Sequence, residues 1–168
     1  SNVQEVSDLL KGKPGTTLAI TVKRPGEKKE RIFKVVREKI AIHPISYAAI
    51  VDNNIGYIHF DTFTEDGAQE VKNSVLSLKE QGAQSLILDL RGNGGGILEE
   101  AVRIVNLFVP KGQEVVSTKG KIKQWDRVVS TTEQPIDSII PLVVLIDNTS
   151  ASASEIVAGT LQDLDRAV

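Results

Sequence analysis

The chain has 168 residues, enough for one sizeable core and part of a second module. Hydrophobic residues make up 40% and charged residues 25%, ordinary for a globular fold, and a net charge of −2 leaves no basic footprint for nucleic acid. The absence of cysteine excludes disulfides, thiolate zinc sites and cysteine nucleophiles, and no run reaches the ~18 apolar residues of a membrane span.

Val3 to Leu10 reads as a short amphipathic helix, with Val3, Val6, Leu9 and Leu10 on one face and Gly12 as its C-cap. Thr16 to Lys23 and Arg31 to Arg37 read as strands joined by the Pro-Gly turn at Arg24 to Lys29. This first stretch is too small to hold a core alone. Glu38 to Pro44 is a linker. Ser46 to Val51 and Ile55 to Phe60 form a hairpin around "DNN". Thr64 is the candidate N-cap of a helix over Asp66 to Gln81, with Val71, Val75 and Leu78 inward and Gly82 as its stop. Ser85 to Leu90 is a short apolar strand, expected to be buried on both faces. "RGNGGG", Arg91 to Gly96, leads into an amphipathic helix from Ile97 to Phe108, with Ala101, Ile104, Val105 and Phe108 inside. Gln113 to Thr118 and Ile122 to Val129 read as two strands, and Pro141 begins another. Helix-like sequence opens the chain, and Arg166-Ala167-Val168 reads as the start of a further strand, so both ends read as cut.

Leu142 to Leu161 carries the most chemistry. An apolar β-branched run gives way to a turn with serines at alternate positions, Ser150, Ser152 and Ser154, and then to helical spacing from Glu155. A hydroxyl on such a turn faces the free N–H groups of a helix N-terminus, which suits a nucleophile beside an oxyanion hole. Ser152-x-x-Glu155 equally fits a capping box, in which the serine only satisfies orphan donors. The glycine run does not fit a dinucleotide or P-loop fingerprint. From Gly92 the former needs glycine where Ile97 stands, and no Gly-Lys-Ser/Thr follows. It is either a tight turn needing positive φ or a cradle that lets a substrate backbone approach and offers N–H groups to an oxyanion. His43 and His59 stand far apart without carboxylate spacing, so structural roles are expected for both, with no metal site and no cofactor. Glu99 and Glu100 lie in the first turn of a helix, where negative charge is favourable. Two strand–turn–helix units, Ser85 to Phe108 and Leu142 to Asp163, indicate an α/β domain with its functional turns at one edge.

Two segments, "LILDLRGNGGGILEEAV" (Leu86 to Val102) and "VVLIDNTSASASEIVAGTLQD" (Val143 to Asp163), together resemble the carboxy-terminal processing, or tail-specific, serine proteases. "VQEVSDLLKGKPGTTLAITVKRPGEKKERIFKVVREKI", Val3 to Ile40, resembles the C-terminal half of a bacterial PDZ domain. The resemblance implies a ClpP/crotonase-like α/β core over residues 41–168, preceded by a partial PDZ domain over residues 1–40. It implies an endopeptidase acting on protein or peptide substrates near their C-termini through a Ser–Lys dyad, in the periplasm or cell envelope. Self-association into a homo-oligomer is compatible with it. Carried onto this sequence, the nucleophile is Ser152. The oxyanion donors are the backbone N–H groups of Ala153 and Gly96, with Gly95 as the fallback. Glu155 is a supporting residue, and Ser150 and Ser154 are turn and cap residues. In the family the lysine lies on a Gly-Lys-Gly type turn after the next strand, past Val168. Lys119, Lys121 and Lys123 do not occupy that position, so the 168-residue chain is expected to be inactive or severely impaired. The PDZ loop that grips a carboxylate lies upstream in that family, so no C-terminal carboxylate binding is expected of residues 1–40 alone. Two other readings remain: a non-catalytic relative that binds peptide or another ligand, and a crotonase-like acyl-CoA enzyme.

Overall fold

The computed structural model describes residues 2–38 and 43–168. They divide into two compact units, one within residues 1–42 and the other spanning 43–168. Residues 39–42 of the expected linker lie outside the described residues.

The first unit is a helix, α1 (Val3–Leu10), and an antiparallel pair, β1 (Thr17–Val22) and β2 (Arg31–Val36). Gly26 turns the chain between the strands with φ 83°. Gly12 does not adopt the left-handed conformation of a C-cap glycine. Arg37 ends the helix instead, donating from Nε to Leu10 O at 2.8 Å and from Nη2 to Leu9 O at 3.1 Å. A Cβ at position 12 would press on that guanidinium, so the glycine makes room for the arginine that does the capping. Ile32, Phe33, Val35 and Val36 remain exposed, in keeping with a unit too small to cover its own apolar residues.

The second unit is built on a four-stranded sheet in the order β3-β4-β5-β8. β3 (Ile45–Ile50) and β4 (Ile55–Phe60) form the expected hairpin, closed by a 3-10 turn at Asp52–Asn54. β4, β5 (Ser85–Asp89) and β8 (Leu142–Leu145) run parallel. α2 (Gly67–Glu80), α3 (Leu98–Phe108) and α4 (Ala153–Asp163) complete the unit, with a small antiparallel ribbon of β6 (Glu114–Thr118) and β7 (Arg127–Ser130). The stretch expected to be one strand from Ile122 is split, because Lys123–Trp125 forms a 3-10 turn and pairing starts only at Arg127.

Period-two alternation along β4 puts Gly56, Ile58 and Phe60 into the core. Val71, Val75 and Leu78 of α2 and Ala101, Ile104, Val105 and Phe108 of α3 meet there, as their helical spacing requires. Phe60 and Phe63 pack edge to face with centroids 4.8 Å apart, an aromatic geometry worth about 1 kcal/mol beyond the area it buries. β5 differs from its expected burial: Leu86 and Leu88 are buried, while Ile87 on the other face is only half-buried. α2 starts from Asp66 in a left-handed conformation rather than from a Thr64 cap.

Because β4, β5 and β8 are parallel, their C-terminal ends lie at the same sheet edge, where ligands of open α/β sheets bind. The segments leaving that edge are Asp61 to Thr64, Arg91 to Gly96 and Asp147 to Ser152. The first two touch directly: Phe63 N donates to Gly95 O at 3.2 Å and Ile97 N to Phe63 O at 2.9 Å.

Candidate active site

The three serines of the "TSASASE" turn are sorted by what they touch. Ser150 Oγ donates to Leu90 O at 2.7 Å. Ser154 is fully buried, and its Oγ donates to Asn93 O at 2.9 Å. Both flanking hydroxyls therefore bind the serine turn to the backbone of the glycine turn. Ser152 alone of the three is solvent-exposed. It stands at the N-cap of α4 with φ 56° and ψ −114°, a conformation that side-chain-bearing residues rarely adopt. Such strain costs on the order of 1–3 kcal/mol and persists only where the surroundings enforce it. Glu155 is part of that enforcement, since its Oε2 accepts from Ser152 N at 2.7 Å, the return half of a capping box. Cap and nucleophile are thus compatible roles for one residue.

The glycine turn meets this corner at backbone distance. Gly95 has φ 98°, and a Cβ added there would lie 2.7 Å from Ala151 O, 2.9 Å from Ser152 Cβ and 3.0 Å from Ala153 N. A side chain at Gly96, with φ 145°, would overlap Phe63 O. These two glycines are required for close approach as well as for positive φ. Gly95 N–H is already engaged, donating to Asn93 Oδ1 at 2.8 Å. The N–H groups of Gly96 and Ala153 have no acceptor among the described residues. Ala153 N–H is an orphan donor of the first turn of α4, at the positive end of the helix dipole.

Asp147 ties the two turns together. Its Oδ1 accepts from Thr149 Oγ1 at 2.6 Å, Thr149 N at 2.9 Å and Ser150 N at 3.1 Å within its own turn, and from Gly92 N at 3.2 Å across the gap. The Thr149 hydroxyl, then these backbone donors, hold its carboxyl well below the usual carboxylate range. Because folded Asp147 takes up a proton less readily than the unfolded chain, its stabilisation is complete above about pH 4 and is lost only as acid titrates the folded carboxylate. Asp147→Ala is expected to speed hydrogen exchange at the Gly92, Thr149 and Ser150 amides and to flatten the acid limb of thermal stability. Residue-resolved exchange and melting curves against pH measure both.

At the base of the glycine turn, Asp89 is fully buried. It receives Tyr57 Oη at 2.5 Å, Arg91 Nη2 at 2.6 Å and Arg91 N at 2.9 Å. Burial opposes its charge, but the guanidinium and the phenol outweigh that and hold its carboxyl down at about 2. Tyr57 is pushed up, by burial first and by Asp89 second.

A model of peptidase family S41 matches residues 54–168, more than half of the chain. The chain belongs to that family. It is 36% identical over 171 residues to a carboxyl-terminal-processing protease of Picosynechococcus sp., covering 99% of this chain and 40% of that protein. It is 35% identical over 162 residues to the carboxy-terminal processing protease CtpA of Bacillus subtilis, covering 96% of this chain and 34% of that protein. The S41 chain thus spans two fifths or less of the length of these curated relatives. Among solved structures it matches a photosystem II D1 C-terminal processing protease with a TM-score of 0.67 and 29% identity, over 99% of this chain and 46% of that one. The mixed α/β architecture is that of these S41 proteases.

Other residues singled out from the sequence stand outside this corner of the S41 fold. Lys123 pairs with Asp126 at 3.6 Å beside the β6–β7 ribbon. His59 Nδ1 faces both Ser46 Oγ at 2.8 Å and Asp61 Oδ1 at 3.1 Å. A catalytic triad needs the serine on one ring nitrogen and the carboxylate on the other, so this cluster is not a second triad. Glu100 is buried and caps α2, accepting from Ala68 N at 2.8 Å while pairing with Arg103 at 2.9 Å. That role was invisible in the sequence, where its partner lies 32 residues away. Among the described residues, no group of three or more His, Cys, Asp or Glu side chains could hold a metal ion, and no helix is long and apolar enough to cross a membrane.

Proposed function

We propose that this chain carries the nucleophile and oxyanion hole of a serine endopeptidase that cuts proteins near their C-termini. Ser152 Oγ attacks the scissile carbonyl as a base takes its proton, and the N–H groups of Ala153 and Gly96 receive the developing oxyanion. The C–N bond breaks as that proton passes to the leaving amine, and water then hydrolyses the acyl-enzyme ester to a free carboxylate and Ser152. The observation that carries this reading is the sorting of the serines. Of the three only Ser152 is exposed, it is held at positive φ, and neither the Ala153 N–H that follows it nor the Gly96 N–H of the glycine turn has an acceptor among the described residues. Gly95 takes no donor role in this reading because its N–H is committed to Asn93. The preference for C-termini rests on similarity to the carboxyl-terminal processing proteases.

A serine hydroxyl at neutral pH needs a base. The base proposed is a lysine, neutral through burial, on the turn that follows the next strand in the family. Among the described residues no lysine or histidine hydrogen-bonds Ser152. Residues 1–40 are read as the C-terminal half of a PDZ domain, and the periplasm or cell envelope as the compartment. The test is digestion of an unfolded protein by the full-length protein and by the chain ending at Val168. C-terminal cleavage that Ser152→Ala abolishes is expected from the first, with turnover lower by several orders of magnitude in the second. Cleavage that survives Ser152→Ala would overturn the nucleophile assignment. Equal rates from the two chains would overturn the lysine.

A further inference from the structure

Asn93 lies in the glycine turn and is fully buried. Every polar group it has is paired, and the pairs reach three separate segments. Its Nδ2 donates to Phe60 O, the last residue of β4, at 2.8 Å. Its Oδ1 accepts from Gly95 N at 2.8 Å. Its backbone O accepts from both Ala151 N at 3.1 Å and Ser154 Oγ at 2.9 Å, on either side of Ser152. Its N–H closes the turn onto Leu90 O at 3.1 Å.

We propose that Asn93 is the positioning residue of the oxyanion hole, holding the glycine turn so that Gly96 N–H, and not Gly95 N–H, points beside Ala153 N–H at Ser152. This rests on the reading of Ser152 as the nucleophile. The chemistry of the side chain is what makes it fit. The site presents a carbonyl that needs a donor, Phe60 O, and an amide that needs an acceptor, Gly95 N–H. A carboxamide supplies one of each from one planar group. Aspartate would supply the acceptor and lose the donor, and alanine would leave both backbone groups buried and unpaired. By taking up Gly95 N–H, Asn93 also removes a competing donor. The main-chain carbonyl of the same residue grips the serine turn, so nucleophile and hole are registered through one buried residue. Asn93 touches neither substrate nor the reacting atoms in this account. It acts through Gly95 and Gly96.

A positioning role predicts a loss confined to the transition state, because only there is the oxyanion formed. In the full-length protein, Asn93→Ala is expected to lower kcat by about 10²-fold with KM within about threefold. Affinity for a peptide boronate, whose tetrahedral adduct with Ser152 places an oxygen in the hole, should fall in parallel. Affinity for the unreactive peptide of the same sequence should not change. A folded variant with unchanged kcat, or with equal losses for the boronate and the plain peptide, overturns the proposal. Where Asn93→Ala does not fold, Asn93→Asp carries the test, since it keeps volume and the acceptor for Gly95 N–H. A drop of about tenfold or more in kcat with plain-peptide affinity intact supports the role, and wild-type kcat overturns it. If neither variant folds, Asn93 is a folding residue and the positioning role is wrong. A wild-type protein that forms no boronate adduct at Ser152 removes the nucleophile reading itself, a failure distinct from any Asn93 result.

Discussion

Ser152→Ala is expected to reduce kcat of the full-length protein by at least about 10⁴-fold while leaving substrate binding and fold nearly intact. The size follows from losing the covalent route, since the oxyanion hole and binding alone leave only a residual acceleration. The small structural cost follows from exposure, because removing this hydroxyl forfeits no more than a cap, about 1 kcal/mol. Ser150→Ala and Ser154→Ala should show the opposite balance. Each removes a hydroxyl that ties the serine turn to the glycine turn, at Leu90 O and Asn93 O respectively. Leu90 O keeps Asn93 N and Asn93 O keeps Ala151 N, so each loss is that of one hydrogen bond, about 1 kcal/mol, and these variants should melt slightly earlier yet keep most of their kcat. Steady-state kinetics and thermal melting on the three variants measure the contrast. Equal kcat losses at all three serines would contradict it.

Gly95→Ala is the second large effect. Position 95 has φ 98°, which costs an alanine roughly 1–2 kcal/mol, and its methyl would collide with Ala151 O, Ser152 Cβ and Ala153 N. All three neighbours are backbone or Cβ atoms of the serine turn, so none can swing aside on a flexible side chain. The two turns must part by several tenths of an ångström, displacing one oxyanion donor from the other. A loss of about 10²–10³-fold in kcat is expected, with a lower melting temperature. Gly92→Ala is the matched control. Its φ of 78° imposes the same kind of backbone strain, but nothing lies within 4 Å of the added methyl. It should lose stability and keep the turns in contact. Similar kcat for Gly95→Ala and Gly92→Ala would mean that the approach of the two turns is not what matters.

The sequence patterns made some of this legible and hid the rest, for identifiable reasons. Helical spacing in Val71, Val75 and Leu78 and in Ala101, Ile104, Val105 and Phe108 marked the inner faces correctly, because amphipathic period is a local property. The alternation of serines marked the turn proposed to carry the nucleophile, and its capping-box spacing marked the link from Glu155 to Ser152 N. Which serine is exposed was not a local property. It depends on Leu90 and Asn93, about 60 residues upstream, taking the flanking hydroxyls. The same limit hid Asn93, which stands inside the glycine motif while the partner of its side-chain Nδ2, Phe60 O, lies 33 residues upstream. The Gly12 cap and the single strand from Ile122 were plausible locally and lost to other interactions. Arg37 reaches α1 from 27 residues away, and the 3-10 turn at Lys123–Trp125 delays pairing to Arg127.

Ser152, and neither Ser150 nor Ser154, is proposed to be the activated nucleophile. The direct measurement is labelling of the full-length protein with a fluorophosphonate probe, followed by peptide mapping by mass spectrometry. The predicted result is a single adduct on Ser152, lost in Ser152→Ala and retained in Ser150→Ala. An adduct on another serine, or no adduct at all, would contradict the account.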